Sequence, residues 1–139
     1  MNDSESRAIP IWIMVYAAVQ ILTSIVGIYG GYVDLAFFYS QFPNADFVDP
    51  LVKHLGAVWA SKNVATVLVM IYAIVRKHPQ ILATAFLLKG IADTIDILYS
   101  NTAFLPESSF VVNLVTWLIL GLPQFAAAYI LFRRAGLKL

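Results

Sequence analysis

Apolar residues fill four long stretches of the chain, at about 9–31, 51–75, 80–100 and 109–132. Each stretch is close to the ~20 residues that an α-helix needs to cross the hydrocarbon core of a bilayer. Because backbone polar groups inside lipid must be satisfied within their own segment, such stretches form helices. The pattern predicts an all-α fold, a single membrane domain built as a four-transmembrane-helix bundle. Residues 32–50 then form a surface loop, an interfacial helix or a lid over the bundle mouth.

Local signals support these helices. Asp49 and Pro50 have the residue types preferred at an N-cap and at the first helical position. Gly27 and Gly31 form a GxxxG pair, which is typical of close packing between membrane helices. Pro123 lies inside the fourth stretch, so we expect a kink there that frees a backbone carbonyl.

Basic residues predict the orientation of the bundle. Four crossings place both termini on one side, together with the turn that joins the second and third helices. That side carries Arg7, Arg76, Lys77, Arg133, Arg134 and Lys138. The excess of Lys and Arg in cytoplasmic segments then predicts that both termini are cytoplasmic.

Composition narrows the class of protein. The chain has 139 residues, of which 60% are hydrophobic and 12% charged, against about 25% charged residues in soluble domains. The net charge of +1 argues against a nucleic-acid partner, because no basic face is available to neutralise phosphates. The chain contains no Cys, which excludes disulfides and thiolate ligands. The two His residues are far apart in sequence, so we predict neither a metal nor a cofactor.

Charged residues nevertheless occur deep inside two of the apolar stretches. Lys62 lies in the second beside Asn63, and Lys89, Asp93 and Asp96 lie in the third. Each such charge costs commonly ~2.5–3.5 kcal/mol in a membrane helix. The third-helix charges are spaced i, i+4, i+7, so they share one face and Lys89 can pair with Asp93.

The other helices contribute polar and aromatic groups at matching depths. Trp59 lies one turn before Asn63, and Asn113, Thr116 and Trp117 share a face of the fourth helix. Because charges facing lipid are prohibitive, these faces should meet in one polar pocket in the middle and outer half of the bundle. The predicted ligand-binding residues are Lys62, Asn63, Lys89, Trp59, Asn113, Thr116 and Trp117.

Asp93 and Asp96 are the candidate catalytic residues. Asp93 lies between Lys89 and the expected level of Lys62, which predicts an ionised carboxylate. Asp96 has no obvious cation in the sequence pattern and lies nearer the outer mouth, which makes it the more easily protonated group and the better general acid or base. The alternative is an ion-pair lattice that fixes helix register and has no catalytic role.

Two segments also resemble a known group of proteins. HLGAVWASKNVATVLVM and RKHPQILATAFLLKGIADTIDIL resemble small four-helix membrane proteins related to the DoxX-like clan. The matching positions are Gly56, Lys62-Asn63 and the Asp93–Asp96 pair, although the family pattern usually has Arg where this chain has Lys62. The resemblance covers the second and third helices and otherwise extends only to hydropathy. The clan is linked to quinone-coupled redox chemistry, but this chain has no redox residues, so that chemistry is not expected here.

These features predict an integral membrane protein that binds or converts a small lipophilic molecule. An isoprenoid or sterol-like substrate and an isomerase- or cyclase-like acid–base reaction would suit carboxylates placed beside tryptophans. The alternatives are a non-catalytic subunit of a larger membrane complex, favoured by the GxxxG pair and the run Ala126–Ala128, and a small proton-coupled carrier. The expected partners are membrane lipids and the lipophilic ligand, with homo-oligomers and larger complexes both left open.

Overall fold

The computed structural model describes residues 8–38, 48–99 and 110–136, and these are largely helical. The elements, in chain order, are α1 (Ile11–Tyr32), α2 (Leu35–Phe38), α3 (Pro50–Val75), α4 (Pro79–Tyr99), α5 (Phe110–Thr116), a π-helical turn (Trp117–Gly121) and α6 (Leu122–Arg134). The described part of the chain contains no strand. The prediction of an all-α fold is confirmed.

Three helical segments are long and apolar enough to cross a membrane: Ile11–Tyr32, Pro50–Val75 and Leu114–Arg134. The fourth long helix, α4, has 21 residues but carries Lys89, Asp93 and Asp96. The structure therefore establishes a helical bundle with three membrane-compatible helices. That α4 is a fourth span remains a prediction, because its three charges set it apart from ordinary lipid-embedded helices.

Small residues let α1 pack closely against α3. A Cβ atom added to Gly31 would lie 2.6 Å from the carbonyl oxygen of Gly56 and 2.6 Å from the Cβ of Ala60, and one added to Gly27 would lie 2.9 Å from the Trp59 ring. The GxxxG pair therefore serves packing within the chain.

Ala8 and Arg134, near the two ends of the described residues, meet at one end of the bundle, which we call the terminal end. There the Arg134 side chain donates a hydrogen bond of 3.2 Å to the backbone carbonyl of Ala8. The apolar core fills this half and draws on α1, α3, α4 and α6. Its buried members are Ile13, Ala17, Met70, Ala73, Leu82, Ala83, Ala85, Phe86, Ala127, Ala128 and Leu131.

Ala127 and Ala128 belong to this core, and only Ala126 of the alanine run is exposed. The expectation that this run offers a docking face for a larger complex is therefore wrong for two of its three residues. Since the GxxxG pair is also used within the chain, the exposed Ala126 and the small size of the chain are the features that still favour a packing subunit.

Helix ends follow their sequence signals. The Asp49 carboxylate accepts a 2.7 Å hydrogen bond from the backbone N–H of Leu51, so Asp49 is the N-cap of α3 as predicted. At the other end of the chain, Gly136 has φ of 80°, a conformation that glycine adopts readily and that stops α6.

In the predicted 32–50 connection, α1 continues to Tyr32 and α2 adds one turn. The rest of the proposed lid, residues 39–47, lies outside the described residues.

Candidate functional site

A cavity of about 640 Å³ lies in the half of the bundle away from the terminal end, with a surface that is mostly apolar. Residues of α1, α3, α4 and the segment around the π-helical turn form its walls. The predicted site residues that line it are Trp59, Lys62, Asn63, Lys89, Asp93, Asp96, Thr116 and Trp117. Asn113 was also predicted, and its side chain lies outside the described residues. The fold thus gathers the polar faces of three helices around one space.

Lys89 and Asp93 form the deeper of two ion pairs. The Lys89 Nζ atom lies 3.0 Å from Oδ1 and 2.9 Å from Oδ2 of Asp93, one helical turn along α4 as the spacing predicts. Their side chains are only 13% and 26% exposed. Gln124 on α6 donates a further hydrogen bond of 2.7 Å to Oδ2. Because three contacts converge on this carboxylate, it is held in a fixed position as an acceptor.

Gln124 is part of a network that joins α1 to α6 at the π-helical turn. The Leu120 carbonyl accepts hydrogen bonds from the Tyr16 hydroxyl, from Gln20 Nε2 at 3.1 Å and from Gln124 Nε2 at 2.8 Å. Gln20 Nε2 also lies 2.7 Å from the Tyr16 hydroxyl. Pro123 lacks an N–H for the α-helical ladder, and a π-helical turn at Trp117–Gly121 precedes it. The Leu120 carbonyl within this turn is an acceptor for side chains of another helix.

The second ion pair corrects the prediction for Asp96. Lys62 Nζ on α3 lies 3.0 Å from Oδ2 of Asp96 on α4. The expectation that Asp96 lacks a cation is therefore wrong, and Lys62 pairs with Asp96 rather than standing beside Asp93. Asp93 and Asp96 are only about 4.5 Å apart along the helix axis, a rise that a lysine side chain spans easily. The side chains of Lys62 and Asp96 are 43% and 50% exposed, so this pair is much more accessible than the first.

Two tryptophans complete the walls. The Trp117 indole N–H donates a 2.8 Å hydrogen bond to the hydroxyl of Thr94, and a Cβ on Gly121 would lie 2.5 Å from the indole ring. Glycine at 121 therefore leaves the space in which the indole lies. On α3, the Asn63 amide donates to the Trp59 carbonyl at 3.1 Å, and Trp59 packs over Gly27. Both rings are thus fixed by glycine contacts.

Three buried or half-buried residues of the network were missed as site residues. Tyr16 stacks on Phe86 with ring centroids 5.5 Å apart, and Gln20 and Gln124 are almost completely buried. The sequence did carry a signal for them: two glutamines within apolar stretches, one four residues after Tyr16 and the other directly after Pro123. Polar groups at such depths need hydrogen-bond partners. The Gln124 amide donates to Gln20 at 3.4 Å and to Asp93 at 2.7 Å.

Two buried polar atoms in the described part of the chain lack a hydrogen-bond partner, Oγ of Ser24 and Oε1 of Gln124. Ser24 belongs to the cavity wall. Among the described residues, no group of three or more His, Asp or Glu side chains is placed to hold a metal ion. The donor set of the site consists of ammonium, carboxylate, amide, hydroxyl and indole groups, which suits hydrogen bonding and ion pairing.

Comparisons of the chain with protein-family models, with curated proteins and with solved structures find no match. The resemblance to the DoxX-like clan therefore stays a prediction that rests on the quoted motifs alone. The fold and the site define a class in physical terms: an all-helical, membrane-compatible bundle with a mostly apolar cavity that carries two ion pairs in one half.

Proposed function

We propose that this chain is an integral membrane protein whose cavity binds a small lipophilic molecule. The observation that carries the proposal is the cavity itself, about 640 Å³ in volume with mostly apolar walls and two ion pairs. Ligand sites in proteins have volumes of roughly 300–1,000 Å³, apolar linings and a few convergent polar groups. A molecule dissolved in the surrounding lipid would find both an apolar surface and hydrogen-bonding groups there.

The proposal places α4 across the membrane as a fourth span. Its three charged side chains are each in an ion pair, and pairing lowers the cost of charge within lipid. The contact of Arg134 with Ala8 supports this proposal, because an even number of crossings brings the two ends of the chain to one side. The basic residues near that end favour the cytoplasmic side.

Conversion of the bound molecule by acid–base chemistry is a second candidate function. It is favoured by two carboxylates, Asp93 and Asp96, that line one cavity together with two tryptophans. Since each carboxylate is ion-paired, an isomerase or cyclase would have to draw its proton from the accessible Lys62–Asp96 pair. Asp96→Asn should then abolish turnover of a lipophilic substrate while the fold is retained. Full turnover in that variant would exclude a role for Asp96 in acid–base chemistry.

The binding proposal is tested by filling the cavity. Ala92 lines it, so Ala92→Phe should occupy space that the ligand needs, whereas Ala126 is exposed on the outer face of α6 and Ala126→Phe serves as the matched control. Both variants and the unchanged protein are purified in mild detergent, extracted with organic solvent and compared by mass spectrometry.

We expect a lipophilic molecule in near-equal amounts with the unchanged protein and with Ala126→Phe, and its loss from Ala92→Phe. Equal recovery from both variants, or no bound molecule in any sample, would contradict a ligand in this cavity.

A further inference from the structure

We infer that the ligand is electrically neutral and carries a hydroxyl or carbonyl group that binds at the Lys62–Asp96 pair. This inference rests on the proposed function and specifies the chemical class that the cavity accepts. It follows from the balance of charges in the cavity wall and from the different accessibility of the two ion pairs.

Among the described residues, the charges that line the cavity cancel. They belong to Lys62, Lys89, Asp93 and Asp96, and each lysine is paired with one aspartate at 2.9–3.0 Å. A charged ligand would enter without a counter-ion of its own, and an uncompensated charge beside mostly apolar walls is costly. A neutral molecule avoids that cost.

The inner pair leaves little for a ligand to bind. Both oxygens of Asp93 accept hydrogen bonds from Lys89, and one also accepts from Gln124. With side chains only 13% and 26% exposed, this group is enclosed by the protein. Its contribution is to hold α4 against α6.

The outer pair has the opposite character. Lys62 Nζ lies 3.0 Å from Oδ2 of Asp96, and the two side chains are about half accessible. A lysine ammonium has three N–H donors, so Lys62 can hold Asp96 and still donate to a ligand oxygen. A hydroxyl or carbonyl oxygen accepts such a bond without displacing either partner. A carboxylate would compete with Asp96 for Lys62, and an amine would compete with Lys62 for Asp96.

Cavity size limits the apolar part of the ligand. If each non-hydrogen atom takes about the ~30 Å³ that a water molecule occupies in the liquid, 640 Å³ holds roughly 20 such atoms. Retinol is a neutral probe of this size, and retinoic acid and retinylamine carry the same skeleton with an anionic or a cationic head. The three probes therefore vary charge while the apolar part stays constant.

Binding is measured by energy transfer from tryptophan to the polyene in lipid nanodiscs. The chain has three tryptophans. Trp12 is 45% exposed near the terminal end and would report on probe dissolved in lipid, so all proteins carry Trp12→Phe and keep the cavity residues Trp59 and Trp117. The Ala92→Phe variant gives the background. At about pH 8 a carboxyl is ionised and an amine protonated, judged from their ordinary pKa values.

We expect retinol to bind at least about ten-fold more tightly than either charged probe, since an uncompensated charge is costly. Asp96→Asn removes the carboxylate that pairs with Lys62. By the same reasoning, the affinity for retinoic acid relative to retinol should rise at least about ten-fold. Lys62→Gln removes the ammonium that lies 3.0 Å from Asp96 Oδ2 and should raise the affinity for retinylamine relative to retinol by the same factor. In the double variant Lys62→Gln/Asp96→Asn the cavity wall is neutral again, and this variant should bind retinol more tightly than either charged probe.

The outcomes separate the two proposals. If no probe transfers energy above the Ala92→Phe background, both the binding function and this inference are overturned. Two results would overturn the inference of a neutral ligand while the binding function stands. One is that retinoic acid or retinylamine binds as tightly as retinol, and the other is that the single variants leave the relative affinities unchanged.

Discussion

The Lys89–Asp93 pair allows a quantitative test of how this bundle tolerates charge. Replacing Asp93 with Leu would leave the Lys89 ammonium, whose side chain is 13% exposed, without its carboxylate. It would also remove the 2.7 Å acceptor of Gln124. Removing one partner of a buried pair costs about 3–5 kcal/mol. We therefore expect Asp93→Leu to destabilise the protein by about 3 kcal/mol or more. Lys89→Met should cost somewhat less, because Asp93 keeps its bond from Gln124.

The double variant Lys89→Met/Asp93→Leu removes both charges and keeps similar side-chain volumes. Since replacing a complete buried pair by apolar residues is often neutral or even stabilising, its cost should fall about 3 kcal/mol below the sum of the single costs. Reversible unfolding by SDS in mixed micelles, followed by circular dichroism, gives the four free energies of unfolding for this cycle.

The outer pair is the control. The same cycle with Lys62→Met and Asp96→Leu should give a coupling below about 1 kcal/mol, the range of accessible ion pairs, because these side chains are about half exposed. Additive single effects at Lys89 and Asp93, within about 0.5 kcal/mol, would refute the assignment of the inner pair as the structural one. A larger coupling at the outer pair than at the inner pair would refute it equally.

Further predictions concern packing, capping and the cavity wall. Gly31→Ala should destabilise the bundle by about 1–3 kcal/mol in the same SDS titration, because its Cβ would lie 2.6 Å from the Gly56 carbonyl oxygen; an unchanged midpoint would contradict the close helix approach. Asp49→Ala should cost about 1 kcal/mol through loss of the N-cap, measured the same way, while Asp49→Asn should restore most of it. Gly121→Ala should displace the Trp117 indole, since its Cβ would lie 2.5 Å from the ring. Retinol affinity in nanodiscs should then fall about five-fold, the factor for about 1 kcal/mol of lost contact, and unchanged affinity would separate this ring from the binding site.

Several features follow from the sequence alone because they depend on local rules. Hydrophobic length predicts the long helices, and the Asp49 cap and the Gly136 stop are set by neighbouring backbone groups. Helical periodicity places Lys89 and Asp93 one turn apart, so their pairing was also predictable. Depth along each helix predicted that Asn63 and Thr116 lie near the levels of the charges of α4, and these residues line the same cavity as those charges.

Tertiary structure decided which groups touch. Asp93 and Asp96 differ by less than one helical turn, so depth could not tell which of them meets Lys62; the lateral position of α3 pairs Lys62 with Asp96. The convergence of Tyr16, Gln20 and Gln124 on the Leu120 carbonyl joins residues about a hundred positions apart. It depends on the π-helical turn that precedes Pro123, whose form local rules do not specify. Sequence determines the face and approximate depth of each polar residue, whereas helix packing selects its partner, because side chains reach across distances comparable to one helical turn.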